Sequence, residues 1–136
     1  MNKKPKIQNA ITLERFFVPN VEMNFNSIID EETIETISIE IEFGIGYDEN
    51  TKDIYSTNFE INIQSENKEL FLKLTAIAFF KTSNEIDKEF LESNFVQVNS
   101  PAIAFPFIRS YINTITTNSG IPPIILPSFN FSSKKK

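Results

Sequence analysis

From Ile37 to Tyr47 apolar and polar residues alternate with a strict period of two. Ile37, Ile39, Ile41, Phe43, Ile45 and Tyr47 hold the odd positions, while Ser38, Glu40, Glu42, Gly44 and Gly46 hold the even ones. Successive side chains of a strand point to opposite faces, so the pattern predicts a long strand with one buried face and one wet, acidic face. DENTK (48–52) is a cluster of turn formers. Beyond it Tyr55, Thr57, Phe59, Ile61 and Ile63 alternate with Ser56, Asn58, Glu60, Asn62 and Gln64, which predicts an antiparallel hairpin. SENK (65–68) is the next turn. In 69–81 (ELFLKLTAIAFFK), Leu70, Leu72, Leu74, Ala76, Ala78 and Phe80 form one apolar face, yet Phe71, Ile77 and Phe79 lie on the other. A strand apolar on both faces is either central and covered twice or a contact between subunits.

Upstream, 7–18 (IQNAITLERFFV) alternates imperfectly: Ile7, Ile11, Leu13 and Phe17 share one parity, Phe16 and Val18 the other. This reads as a strand that stops at Pro19, with Val21, Met23 and Phe25 continuing briefly. Residues 26–35 read as a connection to the next strand. Downstream, 84–92 (NEIDKEFLE) predicts a short helix capped by Asn84 with Ile86, Phe90 and Leu91 inward, and FVQV (95–98) an extended link. Ser100 followed by Pro101 has the form of a helix start. Pro106 cannot donate to the carbonyl of Ala102, so either the helix kinks there or its regular part begins there. Phe105, Ile108, Tyr111, Ile112 and Ile115 recur three and four apart on one face, and Gly120 is placed to end the helix. Pro122, Pro123 and Pro127 then impose an extended path on Ile121, Ile124, Ile125, Leu126, Phe129 and Phe131. So apolar an arm must lie on its own sheet, on a second copy or on an apolar client. The expectation is that it exceeds what one copy hides.

The fold class is therefore α+β: a four-stranded antiparallel sheet, a long packing helix and a proline-rich apolar loop. At 136 residues the length fits a single domain, read as 7–131 with lysine-bearing tails at 1–6 and 132–136. There is no cysteine and no histidine, which removes thiol and imidazole chemistry and the usual nitrogen and sulfur metal ligands. No cofactor and no metal are expected. The absence of cysteine and of a signal-like N-terminus predicts a cytoplasmic location, and no segment is apolar and long enough to cross a bilayer. The net charge is −5, but Lys3, Lys4, Lys6, Lys134, Lys135 and Lys136 supply six of the thirteen bases; the body, 7–133, carries 7 − 18 = −11. An acidic body disfavours nucleic acid, which is gripped by Lys and Arg. A carboxylate dyad for acid–base catalysis can be imagined from two of Asp48, Glu49 and Asp53. They sit in a turn with no apolar run to raise a pKa, so no catalysis is expected. Arg109, the single charge in the apolar helix, is expected to pair with a carboxylate at an interface.

The run VNSPAIAFPFIRSYI followed by SGIPPIILPSFNF (98–131) resembles the SecB family of protein-export chaperones: an apolar-aromatic-Pro-aromatic helix start, an Arg, a Gly, and a proline-spaced loop ending in Asn-Phe. ITLERFFVPNVEMNF and the four-strand layout extend the likeness over most of 7–131. The resemblance implies a homotetramer, a dimer of dimers, holding extended unfolded polypeptide in apolar grooves without ATP. Carried over by position, Ile28, Ile29 and Ile34 in the crossover and Ile121, Ile124, Ile125, Leu126, Phe129 and Phe131 in the loop would bind client. Phe105, Ile108, Arg109, Tyr111, Ile112 and Ile115 would hold subunits together. The acidic positions by which the family meets the translocation motor SecA match Asn20, Asn24 and Leu74, so docking to that motor in the usual mode is in doubt. The family commonly carries a second helix after the loop, and this sequence shows none after Phe131, so the expectation is either a more open client site or membership of a divergent, SecB-like branch. The rival readings are a dedicated adaptor for one partner, such as the antitoxin of a toxin pair, and a small acid-type hydrolase.

Overall fold

A computed structural model describes residues 10–26 and 28–134. In chain order these form β1 (Ile11–Phe25), α1 (Glu31–Glu35), β2 (Ser38–Tyr47), β3 (Ile54–Gln64), β4 (Leu70–Thr82) and α2 (Lys88–Leu91). A π-helical segment (Phe95–Asn99) then runs into α3 (Ser100–Asn118), and a short 3-10 turn (Phe131–Lys134) follows an arm without regular structure. Lysines 3, 4, 6, 135 and 136 and the predicted strand start at Ile7 lie outside the described residues.

The four strands form one antiparallel sheet in the order β1-β4-β3-β2. The alternation read from the sequence is the alternation of burial. Leu70, Leu72, Leu74, Ala76, Ala78 and Phe80 of β4 meet Ile63, Ile61, Phe59, Thr57 and Tyr55 of β3 on a face that is buried throughout. β4 is central. Its second apolar face is half-buried, with Phe79 stacked on Phe17 of β1 at 5.7 Å between ring centroids.

β1 does not stop at Pro19. It slips register twice against β4, between Leu13 and Arg15 and between Phe17 and Asn20. Each slip inserts an extra residue, which moves the inward parity from Leu13 to Phe16 and then back to Val21, Met23 and Phe25. The imperfect alternation of the sequence is this pair of bulges. Proline is tolerated at the second because β1 is an edge strand and a bulge needs no ladder donor there.

The approach to α3 differs from expectation. α2 begins later, capped by Asp87, whose carboxylate accepts from Phe90 N at 2.7 Å, rather than by Asn84. The FVQV stretch is helical, not extended. Val96 N and Gln97 N both donate to Ser93 O, and Gln97 Nε2 reaches Leu91 O at 2.8 Å. Because the chain is already helical at Asn99, Ser100 has no cap to make. Its hydroxyl donates to Phe95 O (2.7 Å) and shares a buried hydrogen bond with Tyr55 (2.5 Å). α3 continues through Pro106, whose side is exposed, and packs Pro101, Ala104, Phe105, Ile108, Ile112 and Thr116 inward against the sheet. Gly120 follows with φ of +85°, the left-handed turn that lets the chain double back.

Candidate functional site

After Gly120 the arm runs back along α3, fastened by side chains of the helix. Thr116 Oγ1 accepts from Ile124 N at 3.0 Å, and Arg109 Nε donates to Leu126 O at 3.0 Å. Arg109 thus meets a backbone carbonyl of its own arm, where a carboxylate at an interface was expected. The prolines withhold N–H groups from the arm, so it joins no strand and these side-chain bonds stand in for a ladder.

Between those pins the arm alternates. Ile121, Ile124, Leu126 and Phe131 are buried, whereas Ile125 stands out at 66% exposure and Phe129 is half-buried. The expectation that the arm exceeds what one copy can hide is therefore corrected: most of it covers the chain's own sheet. Among the crossover residues Ile29 is buried, Ile34 is partly buried, and Ile28 is almost wholly exposed at 91%. Phe105, Ile108 and Ile112 of the helix are also buried within the chain, while Tyr111 and Ile115 are partly so. Side chains enclosed by their own fold offer no area to a partner, so the accessible part of the predicted surface is Ile28, Ile34, Ile125 and Phe129, with Arg109, Tyr111 and Ile115 on the helix.

Sequence reasoning missed Ile103 and Phe107, 40% and 48% exposed and one turn apart on α3. Phe107 lies 5.5 Å from the ring of Phe16 on β1. Their i, i+4 spacing was visible, but the stronger pattern starting at Phe105 concealed it. Also missed was an aromatic cluster at the β2 edge, where Phe131 sits among Phe43, Phe59, Phe105 and Phe129 with ring centroids 5.4, 6.2, 5.5 and 4.8 Å away.

Acidic groups lie beside Ile28 and on the outer face of the sheet. Asp30, Glu32, Glu66 and Glu69 line a cleft of about 560 Å³ beside Ile28. The Asp30 carboxyl is held below its usual range, first by the backbone N–H of Thr33, at 2.9 Å, and then by the Thr33 hydroxyl. On the outer sheet face Glu42 stands opposite Glu60, and Glu60 pairs with Lys73 at 3.4 Å. That pair is half exposed and contributes at most about 1 kcal/mol. Asp48 serves its own turn, accepting from Asn50 N at 2.9 Å. Burial pushes the Tyr55 hydroxyl up to about 12, against the opposing effect of its bond to Ser100. Among the described residues no helix is long and apolar enough to cross a membrane.

A family profile described as "Preprotein translocase subunit SecB" matches residues 4–134. An uncharacterized protein of Methanocaldococcus jannaschii is 31% identical over 136 residues, covering 96% of this chain and 84% of that one. The protein-export protein SecB of Anaplasma phagocytophilum is 31% identical over 84 residues, 59% of this chain and 53% of that one. The chain thus spans about half the length of the curated export proteins it matches. In structure it is similar to the SecB-like chaperone of Mycobacterium tuberculosis, solved with a peptide from an antitoxin, at a TM-score of 0.68 and 13% identity over 88% of each chain. A protein of unknown function from Streptococcus agalactiae shares the fold at a TM-score of 0.53 and 12% identity, over 90% of this chain and all of that one.

Proposed function

The chain belongs to the SecB family, and from that premise we propose that it is a chaperone that holds extended, non-native polypeptide without ATP and without turnover. The observation that carries this reading is the apolar area left open at Ile28 in the crossover and at Ile125 and Phe129 on the arm. Unfolded segments expose apolar side chains and unpaired backbone groups. The open surface covers the first, and β2, an edge strand among the described residues, is the side of the sheet suited to the second. The acidic cleft beside Ile28 favours segments that also carry Lys or Arg.

Holding acts by mass action. A binder at about a hundred times its Kd favours the unfolded client by about 2.7 kcal/mol. Against a domain stability of about 5–15 kcal/mol this delays folding and does not abolish it, as keeping a client competent for export requires. Assembly as a cytoplasmic homotetramer belongs to the same proposal: the stripe of Ile103 and Phe107 on α3, continued by Tyr111, is an apolar surface suited to a second copy. The surface disfavours the translocation motor as a partner: exposed Asn20 and Asn24 stand where the resemblance places acidic docking residues, while Leu74, matched to a third such position, lies buried on the inner face of the sheet and offers no docking surface.

A second reading is an adaptor for one partner, favoured by the antitoxin peptide bound to the structural relative from M. tuberculosis. The mass in solution, measured alone and with several unrelated, chemically unfolded proteins, separates the readings. The chaperone reading expects an oligomer that takes up most of them. Uptake of a single partner selects the adaptor, and a monomer that ignores all of them defeats both.

A further inference from the structure

On the outer face of the sheet, opposite α3, Gly44 and Gly46 occupy two successive outward positions of β2 and leave a bare lane. Gly46 is dictated by its neighbours, since a Cβ there would lie 2.6 Å from Ser56 Oγ and 3.1 Å from Asn58 Nδ2. Gly44 is not. Its φ is outside the left-handed region, a Cβ there would meet no atom within 4 Å, and glycine in the interior of a strand weakens it. What such a glycine permits is the close approach of another backbone.

The lane is equipped for one. Ser56, 9% exposed, accepts from Asn58 Nδ2 at 3.3 Å, while among the described residues its own proton has no acceptor and Asn58 Oδ1 has no donor. A donor and an acceptor for peptide groups thus stand directly across from Gly46 and Gly44. Phe79 and Ile77, next across the sheet, form an apolar wall, with Phe17 stacked on Phe79. A cleft of about 350 Å³ lies between Gly46, Ile54 and Phe79, and one of about 270 Å³ between Gly44, Glu42 and Glu60. Glu42 and Glu60 face each other across the strands, a repulsive placement, and Lys73 meets only Glu60. A cation brought to Glu42 relieves it.

Resting on the chaperone reading above, we propose that this lane is a second groove for client, on the face of the sheet opposite the arm. It takes an extended segment whose backbone lies over Gly44 and Gly46, with an aromatic side chain in the cleft at Phe79 and a Lys or Arg at Glu42 and Glu60. Glu42 and Gly46 are four positions apart on β2, about 13 Å, so the two client residues stand about four apart in an extended chain. The groove belongs to the β2–β3 half of the face, away from Asn20 and Asn24 on β1.

The test uses the full chain and a Ser/Gly peptide in which Lys and photoreactive benzoylphenylalanine stand four residues apart. Irradiation cross-links it, and mass spectrometry reads where. Cross-links to outward residues of β3 and β4 around Ser56 and Phe79 are expected beside those at the arm. Gly44→Val fills the lane with a residue that strands favour; it is expected to lower the outer-face yield about tenfold, to leave the arm's yield unchanged and not to lower the urea midpoint. Glu42→Lys, a charge reversal at an exposed position, is expected to lower the same yield by a similar factor. Outer-face labelling that is absent, or left unmoved by either variant, overturns the groove while labelling at the arm keeps the chaperone reading standing. A midpoint lowered by Gly44→Val also overturns the groove, because the glycine then serves the fold itself. No label anywhere, together with no uptake of unfolded protein, overturns both.

Discussion

At the scale of residues, Thr116 ties the arm to the helix. Its hydroxyl donates to Ile112 O at 2.7 Å and accepts from the buried N–H of Ile124. Thr116→Val keeps the shape and leaves that N–H without a partner, so it should cost about 1–3 kcal/mol, whereas Thr116→Ser should be close to neutral. A shift of the urea midpoint at constant slope measures the difference. Tyr55 gives a pH prediction. Its folded pKa lies above that of the unfolded chain, near 10, so above pH 10 the unfolded state loses a proton that the folded state keeps. Stability is full below pH 10 and should fall as pH rises towards 12; Tyr55→Phe should flatten that limb in thermal melts taken across the range. Neither role was legible beforehand. Thr116 lies in the polar run TITTN, where a threonine reads as solvent-facing, and Ser100 before proline reads as a cap until the chain ahead of it proves helical.

At the scale of elements, Gly120 turns α3 into the arm at φ +85°, with open space around its Cα. Gly120→Ala therefore meets strain in the backbone and not a clash, and should destabilise by about 1 kcal/mol in the same urea assay. The strands and this turn were the legible part of the fold. A face buried along β2, β3 and β4 leaves a period of two, and a left-handed turn after a helix needs glycine. β1 was half legible, because two bulges change its parity and so resemble a strand that ends. The π-helical segment was not legible, since four residues of FVQV fit an alternating strand and a helical turn equally. Of the candidate site, the sequence showed which residues are apolar but not which side of the arm they take. That side is decided by Thr116 and Arg109 reaching the backbone of Ile124 and Leu126.

At the scale of the whole molecule, the exposed stripe on α3 and the exposed residues near the arm are distinct surfaces, and they should fail separately. Ile103→Asp sets a charge on the first, and the expected outcome is a smaller mass by light scattering with an unchanged thermal midpoint. Ile125→Asp sets one beside the arm, and weakened capture of unfolded client at unchanged mass is expected there. The sheet order carries one more consequence. Of the four strands β1 is made first and, among the described residues, pairs only with β4, Ile11 lying opposite Thr82, with the β2–β3 hairpin between them in the chain. On a ribosome adding about 5–20 residues per second, that first strand waits several seconds for its neighbour, bare on both edges, while the three later strands zip together locally. A protein proposed to shelter other chains in this condition passes through it at its own birth, and an older copy alongside would be its natural first guest.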